Sequence, residues 1–371
     1  NFDTPVPMKV FSWKGDIDTI MSPNDSIRYY KSFLQAGMMA MDPHNGHIKA
    51  WVGGPDYNHF RYDHVYRSRR QVGSTIKPFV YSMALKAGLN PCTEVPNIKQ
   101  IFHLPDGKTW SPGNSDGKYG NTVTLRFGLA NSLNPVTAYL YKKYGTEFIQ
   151  TMKAAGITSK LDPVPSLCLG VADVSVYEMV GAYSTFANKG RYLEPVYITR
   201  IEDKDGRIIK EFRPKSRTVI DEETAFTVLD MMKGVVGYVR DENGEKKWGT
   251  GIRIRNYSES RPYAGIKYEM AGKTGTTQNN SDGWFMGITP DLVVGSWVGA
   301  EDRSISFSST YYGQGANMGL PIYGYFMKKV YADKSIDISK EDFESPEGFY
   351  LESDCQTVKA NNAEPDWGEG L

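Results

Sequence analysis

Three short polar clusters in the 371-residue chain each set a hydroxyl beside groups that can activate or orient it. The first is Gly73-Ser74-Thr75-Ile76-Lys77. On a helix, Ser74 and Lys77 share a face about one turn apart. A serine hydroxyl is a poor nucleophile and needs a neighbouring base. Lys77 can serve only when neutral, which requires burial or a second cation nearby. The apolar run Pro78-Phe79-Val80-Tyr81 supplies a reason for burial. Ser74 at a helix start also gains from the N-terminal dipole. Taken alone, a helix-capping serine and a surface lysine explain the same letters.

The second cluster is Asn131-Ser132-Leu133-Asn134-Pro135. Proline disfavours helical geometry at the residue before it and suits the first turn of a following helix. A helix therefore breaks near Asn134. In an extended break Ser132 and Asn134 point the same way, a hydroxyl able to relay a proton and an amide able to hold a peptide. Simple capping is the competing explanation. The third cluster is Lys273-Thr274-Gly275-Thr276, after a strand-like stretch. Alternation puts the two threonine hydroxyls on one side, Gly275 lets a ligand backbone approach, and Lys273 adds positive charge. Together they can hold a carboxylate.

The elements that must bring these clusters together are partly legible. Residues 36–41 and 47–52 flank Asn45-Gly46, a hairpin signal. Apolar periodicity and end signals predict helices over about 75–87, 122–131, 135–144, 175–188 and 222–233. Strand-like pieces occur at 196–202 and 207–213, around a charged turn, and at 266–274, 284–289 and 292–299. Residues 238–265 are polar and Gly-rich and read as a loop insertion. The order predicts an α/β fold of the α+β type: an antiparallel sheet flanked by helices, with a mainly helical subdomain in the middle. Residues 1–34 form a lead-in or interdomain linker, 35–335 the main domain, and 336–371 a polar, loosely packed tail.

Composition excludes some classes. Lys+Arg and Asp+Glu number 43 each, so there is no electrostatic case for a nucleic-acid partner. The five histidines have no metal-ligand spacing, and neither a metal nor a cofactor is expected. Three distant cysteines permit at most one disulfide. No apolar run reaches the roughly 18 residues of a membrane span. The start, Asn1-Phe2-Asp3-Thr4-Pro5, lacks an initiator Met and a signal segment, which reads as an excised fragment with any anchor upstream. Gly113-Asn114-Ser115-Asp116-Gly117 has nucleophile-elbow letters but no flanking strand and helix, so it reads as a turn.

The ordered set Ser-x-x-Lys, Ser-x-Asn, Lys-Thr-Gly is that of penicillin-binding proteins and class A β-lactamases. Beyond the motifs, Arg70-Gln71-Val72-Gly73-Ser74-Thr75-Ile76-Lys77-Pro78-Phe79, Trp110-Ser111-Pro112-Gly113-Asn114 and Asp282-Gly283-Trp284-Phe285-Met286-Gly287 resemble the class A penicillin-binding proteins, and the likeness runs over about 36–330. The resemblance implies that 35–335 is a transpeptidase domain acting on D-Ala-D-Ala stem peptides of peptidoglycan. Ser74 would be the nucleophile and Lys77 its base. Ser132 would relay a proton to the leaving D-alanine, oriented by Lys273. Asn134 would hold the substrate amide. Thr274, Gly275 and Thr276 would cradle the terminal carboxylate, and the amides of Ser74 and Thr276 would form an oxyanion hole.

The resemblance further implies β-lactam inhibition, cell-wall synthesis proteins as partners, and a place at the outer face of a bacterial cytoplasmic membrane, in the periplasm. The membrane would be met only through an N-terminal anchor missing from this chain. The parent protein would be a bifunctional glycosyltransferase and transpeptidase. Two departures stand out. No glycosyltransferase domain is visible, and the 238–265 stretch is longer than the family pattern suggests. That stretch either borders the substrate groove or is a surface insertion, and the surface reading is preferred. Competing activities are a D-Ala-D-Ala carboxypeptidase, a β-lactamase (although no acidic residue is evident to activate water, and the second motif is Ser-Leu-Asn) and a non-catalytic sensor or scaffold.

Overall fold

The computed structural model describes residues 1–277, 279–352 and 355. Its centre is a five-stranded antiparallel sheet in the order Ala271–Thr276, Asp282–Ile288, Val293–Gly299, Gln35–Met41, Ile48–Val52. The last two strands are the expected hairpin. Gly46 turns it with φ +74°, a conformation open to glycine at little cost. Asp282–Ile288 and Val293–Gly299 are buried along their whole length, because helices cover both faces of the sheet.

Strand alternation divides the core. Met39 and Met41 face one hydrophobic cluster, shared with the helices that carry the first two motifs. Met38 and Ala40 face a second, built with the Gly319–Ala332 helix. Between the two outer parts of the chain lies the helical subdomain: Lys77–Lys86, Leu125–Ala130, Asn134–Tyr144, Phe148–Ala154, Val176–Ala187 and Glu222–Lys233. Phe148–Ala154 had no sequence expectation. The expected helix at 122–131 begins instead as an extended piece, Thr122–Thr124, paired with Glu94–Pro96; Thr124 then caps a shorter helix by accepting from the Phe127 amide at 3.2 Å. Val176–Ala187 starts with a capping box between Ser175 and Glu178 and packs across the Val293–Gly299 strand.

Three expectations need correction. The strand predicted over 266–274 begins only at Ala271. The carbonyls of Ile266 and Tyr268 accept from the Arg255 guanidinium rather than from a neighbouring strand. The 238–265 stretch is not a mere surface loop. It forms a small hairpin, Tyr238–Arg240 with Lys246–Trp248, and a tight turn at Ile252–Ile254, and it brings Thr250 to the groove described below. The described part of the tail is tied down rather than loose. Lys233 Nζ bonds both Asp342 carboxylate oxygens at 2.9 Å, Phe343 packs against the main core, and Cys92 is joined to Cys355. The remainder of the expected 336–371 tail lies outside the described residues.

Residues 1–34 have structure of their own: strands Val6–Val10 and Ile17–Met21 pair antiparallel, and the Pro23–Lys31 helix is capped by Ser22. Phe11 packs edge-to-face on Phe33 inside this unit and on Phe60 of the loop after Val52, each at 5.2 Å between ring centres, and the second contact docks the unit on that loop.

Candidate active site

Ser74 sits in a tight turn, Gly73–Ile76, that runs directly into the fully buried front of the Lys77–Lys86 helix. Close backbone packing places that turn. Gly73 has φ +53°, and a Cβ there would lie 2.7 Å from Thr276 O and 3.1 Å from Thr276 N. Its amide donates to Gly170 O at 3.0 Å, and Gly170, at φ +80°, could not carry a side chain without meeting Gly73 O at 2.0 Å. The Ser74 turn therefore lies backbone to backbone against the end of the Ala271–Thr276 strand. Just upstream, Arg70 Nε bonds Asp282 Oδ1 at 2.6 Å inside the protein, and Trp297 Nε1 donates to the same oxygen at 3.0 Å. Trp284 Nε1 donates to Gln71 O at 2.8 Å. These bonds clamp the segment before Ser74 to the sheet.

Ser132 occupies the break between Leu125–Ala130 and Asn134–Tyr144, as the proline predicts. The break is not extended: Ser132 has φ +56°, a left-handed conformation that costs a non-glycine residue of order 1–3 kcal/mol. Ser132 and Asn134 converge nevertheless, on Lys77. Lys77 Nζ donates to Asn134 Oδ1 at 2.6 Å, Ser132 O at 2.6 Å and Ser132 Oγ at 3.2 Å. From the sheet side, Lys273 Nζ donates to Ser132 Oγ at 2.9 Å and to Thr274 O at 3.1 Å. Asn134 is held in turn by the discounted glycine-rich turn: its Nδ2 donates to Gly113 O at 2.8 Å and its amide to Asn114 Oδ1 at 3.0 Å. Asn114 is thus a supporting residue that the motif reading did not single out.

Both lysines are completely buried. Burial, and then the positive charge of Lys273, hold Lys77 well below the usual lysine range. Burial alone pushes Lys273 down to about 7. The two ammonium groups meet on one hydroxyl, so the site favours a neutral Lys77, which is the form that can take a proton.

Above the lysines opens a groove of about 640 Å³, lined among others by Ser74, Ser132, Asn134, Thr250, Thr274 and Thr276. The Thr276 hydroxyl accepts from the Gly315 amide at 3.0 Å, which leaves its proton for a ligand. Gly275 departs from expectation. It faces away from the groove, where a Cβ would meet Val72 O at 2.7 Å and Thr75 Cγ2 at 2.8 Å. Its missing side chain admits the Ser74 turn rather than a ligand.

A family model described as penicillin binding protein transpeptidase domain matches residues 36–300. The chain belongs to the penicillin-binding protein transpeptidase family. A second model, penicillin-binding protein middle domain, matches residues 1–34. The transpeptidase chain is 37% identical over 276 residues to Penicillin-binding protein 2D of Bacillus subtilis, covering 74% of this chain and 38% of that protein. It is 33% identical over 316 residues to Penicillin-binding protein 1A of Aquifex aeolicus, covering 84% and 40%. This penicillin-binding chain therefore spans about two-fifths of the length of those relatives. Among solved structures it is similar to penicillin-binding protein 1A from Haemophilus influenzae, with a TM-score of 0.70, 27% identity and coverage of 82% of this chain and 49% of that one. PonA1 from Mycobacterium tuberculosis shares the fold at a TM-score of 0.68, with 23% identity over 88% of this chain and 84% of that one.

Proposed function

We propose that the domain cross-links peptidoglycan as a D,D-transpeptidase through an acyl-enzyme on Ser74. The carrying observation is that Lys77 and Lys273, both buried, bond the Ser132 hydroxyl directly beneath the groove that Ser74 lines. Neutral Lys77 takes the proton as Ser74 Oγ attacks the carbonyl between the two terminal D-alanines of a stem peptide. The resulting oxyanion is met by the amides of Ser74 and Thr276, whose backbones adjoin; a donor of this kind is worth about 3–4 kcal/mol. The intermediate collapses, the C–N bond breaks, and the departing D-alanine nitrogen receives a proton through Ser132 from Lys77, with Lys273 orienting that hydroxyl. Asn134 holds the substrate amide. The Thr274 and Thr276 hydroxyls take the terminal carboxylate, next to the Lys273 charge. An amine from a second stem peptide then displaces Ser74 and forms the cross-link.

β-Lactams mimic the D-Ala-D-Ala unit and acylate Ser74 without ready release. The setting is the outer face of a bacterial cytoplasmic membrane, with stem peptides and cell-wall synthesis proteins as partners and a bifunctional parent protein. Among the described residues no helix is long and apolar enough to cross a membrane.

Intact mass spectrometry after penicillin treatment tests the reading: one adduct mapping to Ser74 is expected, and none on Ser74→Ala. An unmodified wild-type chain, or an adduct elsewhere, overturns it. Product analysis with an added amine acceptor separates cross-linking from carboxypeptidase action, and turnover of the antibiotic would mark a β-lactamase. The complete set of polar motif residues speaks against a non-catalytic scaffold.

A further inference from the structure

Thr250 reaches the groove from a backbone that is fixed on all sides. A Cβ on Gly249 would lie 2.1 Å from Gly234 O and 2.4 Å from Val235 O, so only glycine passes there. Three successive amides are bonded: Gly249 N to Gly237 O at 3.1 Å, Thr250 N to Ala130 O at 3.2 Å, and Gly251 N to Val235 O at 2.8 Å. Ala130 closes the helix that leads into Ser132. The Thr250 backbone is therefore tied to the Ser132 segment. Its side chain meets the strand that carries Lys273, with Thr250 Oγ1 and Thr274 Oγ1 2.7 Å apart.

A hydroxyl has one proton, so one partner of this pair donates and the other accepts. If Thr274 donates, it has no proton left for a ligand. If Thr250 donates, the Thr274 proton is free to face the groove, and donation into its oxygen polarises it further. A carboxylate only accepts, so a carboxylate in the groove selects the second arrangement.

We propose that Thr250 is a positioning residue for the ligand carboxylate: its hydroxyl donates to Thr274 Oγ1 and turns the Thr274 proton into the groove. The proposal rests on the acyl-enzyme reading above. It is tested by the second-order rate of acylation by benzylpenicillin and by its methyl ester, for the wild type, Thr250→Val, Thr250→Ser, Thr274→Val and the double variant Thr250→Val/Thr274→Val. With benzylpenicillin, Thr250→Val is expected to be slower by about tenfold, the scale of one hydrogen bond to a charged group. Thr250→Ser recovers most of that loss. Adding Thr250→Val to Thr274→Val costs little more, because one residue acts through the other. The ester, which has no anion to place, is slowed far less than the acid.

Wild-type rates in Thr250→Val overturn the proposal. So does equal slowing on acid and ester, or a full further loss in the double variant, since either makes Thr250 a packing residue. Failure of the underlying reading looks different: the wild type would not be acylated, or Ser74→Ala still would be.

Discussion

Lys77 and Lys273 donate to the same oxygen, Ser132 Oγ, at 3.2 and 2.9 Å, one from the helix that follows the Ser74 turn and the other from the Ala271–Thr276 strand. Two buried cations sharing one acceptor repel, and burial penalises both. The relationship explains why a lysine can act as a base here, and it makes the site sensitive to pH.

The acylation rate is expected to be bell-shaped in pH. Below its lowered titration point Lys77 is protonated and cannot accept from Ser74, so the rate rises as pH climbs through that point. Above about 7, Lys273 loses its charge and the carboxylate loses its attraction, so the rate falls. The two limbs belong to a coupled pair. Lys273→Arg keeps the charge at all accessible pH and should remove the falling limb. Stopped-flow acylation from pH 5 to 10 measures it.

Gly275→Ala is expected to slow acylation and to lower stability by about 1–3 kcal/mol, the usual cost of overpacking. The added methyl would lie 2.7 Å from Val72 O and 3.0 Å from Trp284 Cβ, pushing the Ser74 turn off the strand. Penicillin acylation and urea denaturation read the two effects. A variant as fast and as stable as wild type would return Gly275 to the ligand side.

Arg70→Met breaks the buried pair with Asp282 and leaves that carboxylate without its cation. Removing one partner of such a pair typically costs about 3–5 kcal/mol. The denaturation midpoint should drop accordingly, and Asp282→Asn should fall short of that loss because the amide can still accept from Trp297 Nε1.

The Cys92–Cys355 bond closes a loop of sequence separation 263. Cys92→Ser is expected to lose about 2–4 kcal/mol of stability. The disulfide lies away from the groove, so the penicillin acylation rate should be retained. Thermal melts with and without reductant check the first point, and a wild type indifferent to reductant would refute it.

Much of this was local, and therefore readable in one dimension. Helix starts at Ser175 and Asp221 declare themselves because each cap bonds an amide three residues on. The hairpin at Gly46 and the break at Pro135 follow from the backbone preferences of single residues. The three motifs pointed to the proposed chemistry, because a nucleophile, a base, a relay and a carboxylate cradle each need particular side chains. Sequence alone therefore determined the fold class and singled out Ser74, Ser132, Asn134, Thr274 and Thr276 of the groove lining and the two lysines beneath it, but neither Thr250 nor the supporting Asn114.

Tertiary structure decided how those residues are used. The left-handed Ser132, the inward face of Gly275, the bond from Thr250 to Thr274 and the Arg70–Asp282 clamp all depend on partners distant along the chain. Even the late start of the Ala271–Thr276 strand depends on Arg255, which takes the carbonyls that pairing would have used. Side-chain type and spacing fix what a residue can donate, accept or exclude, whereas which atom stands opposite it is set only when separate elements close around a common core.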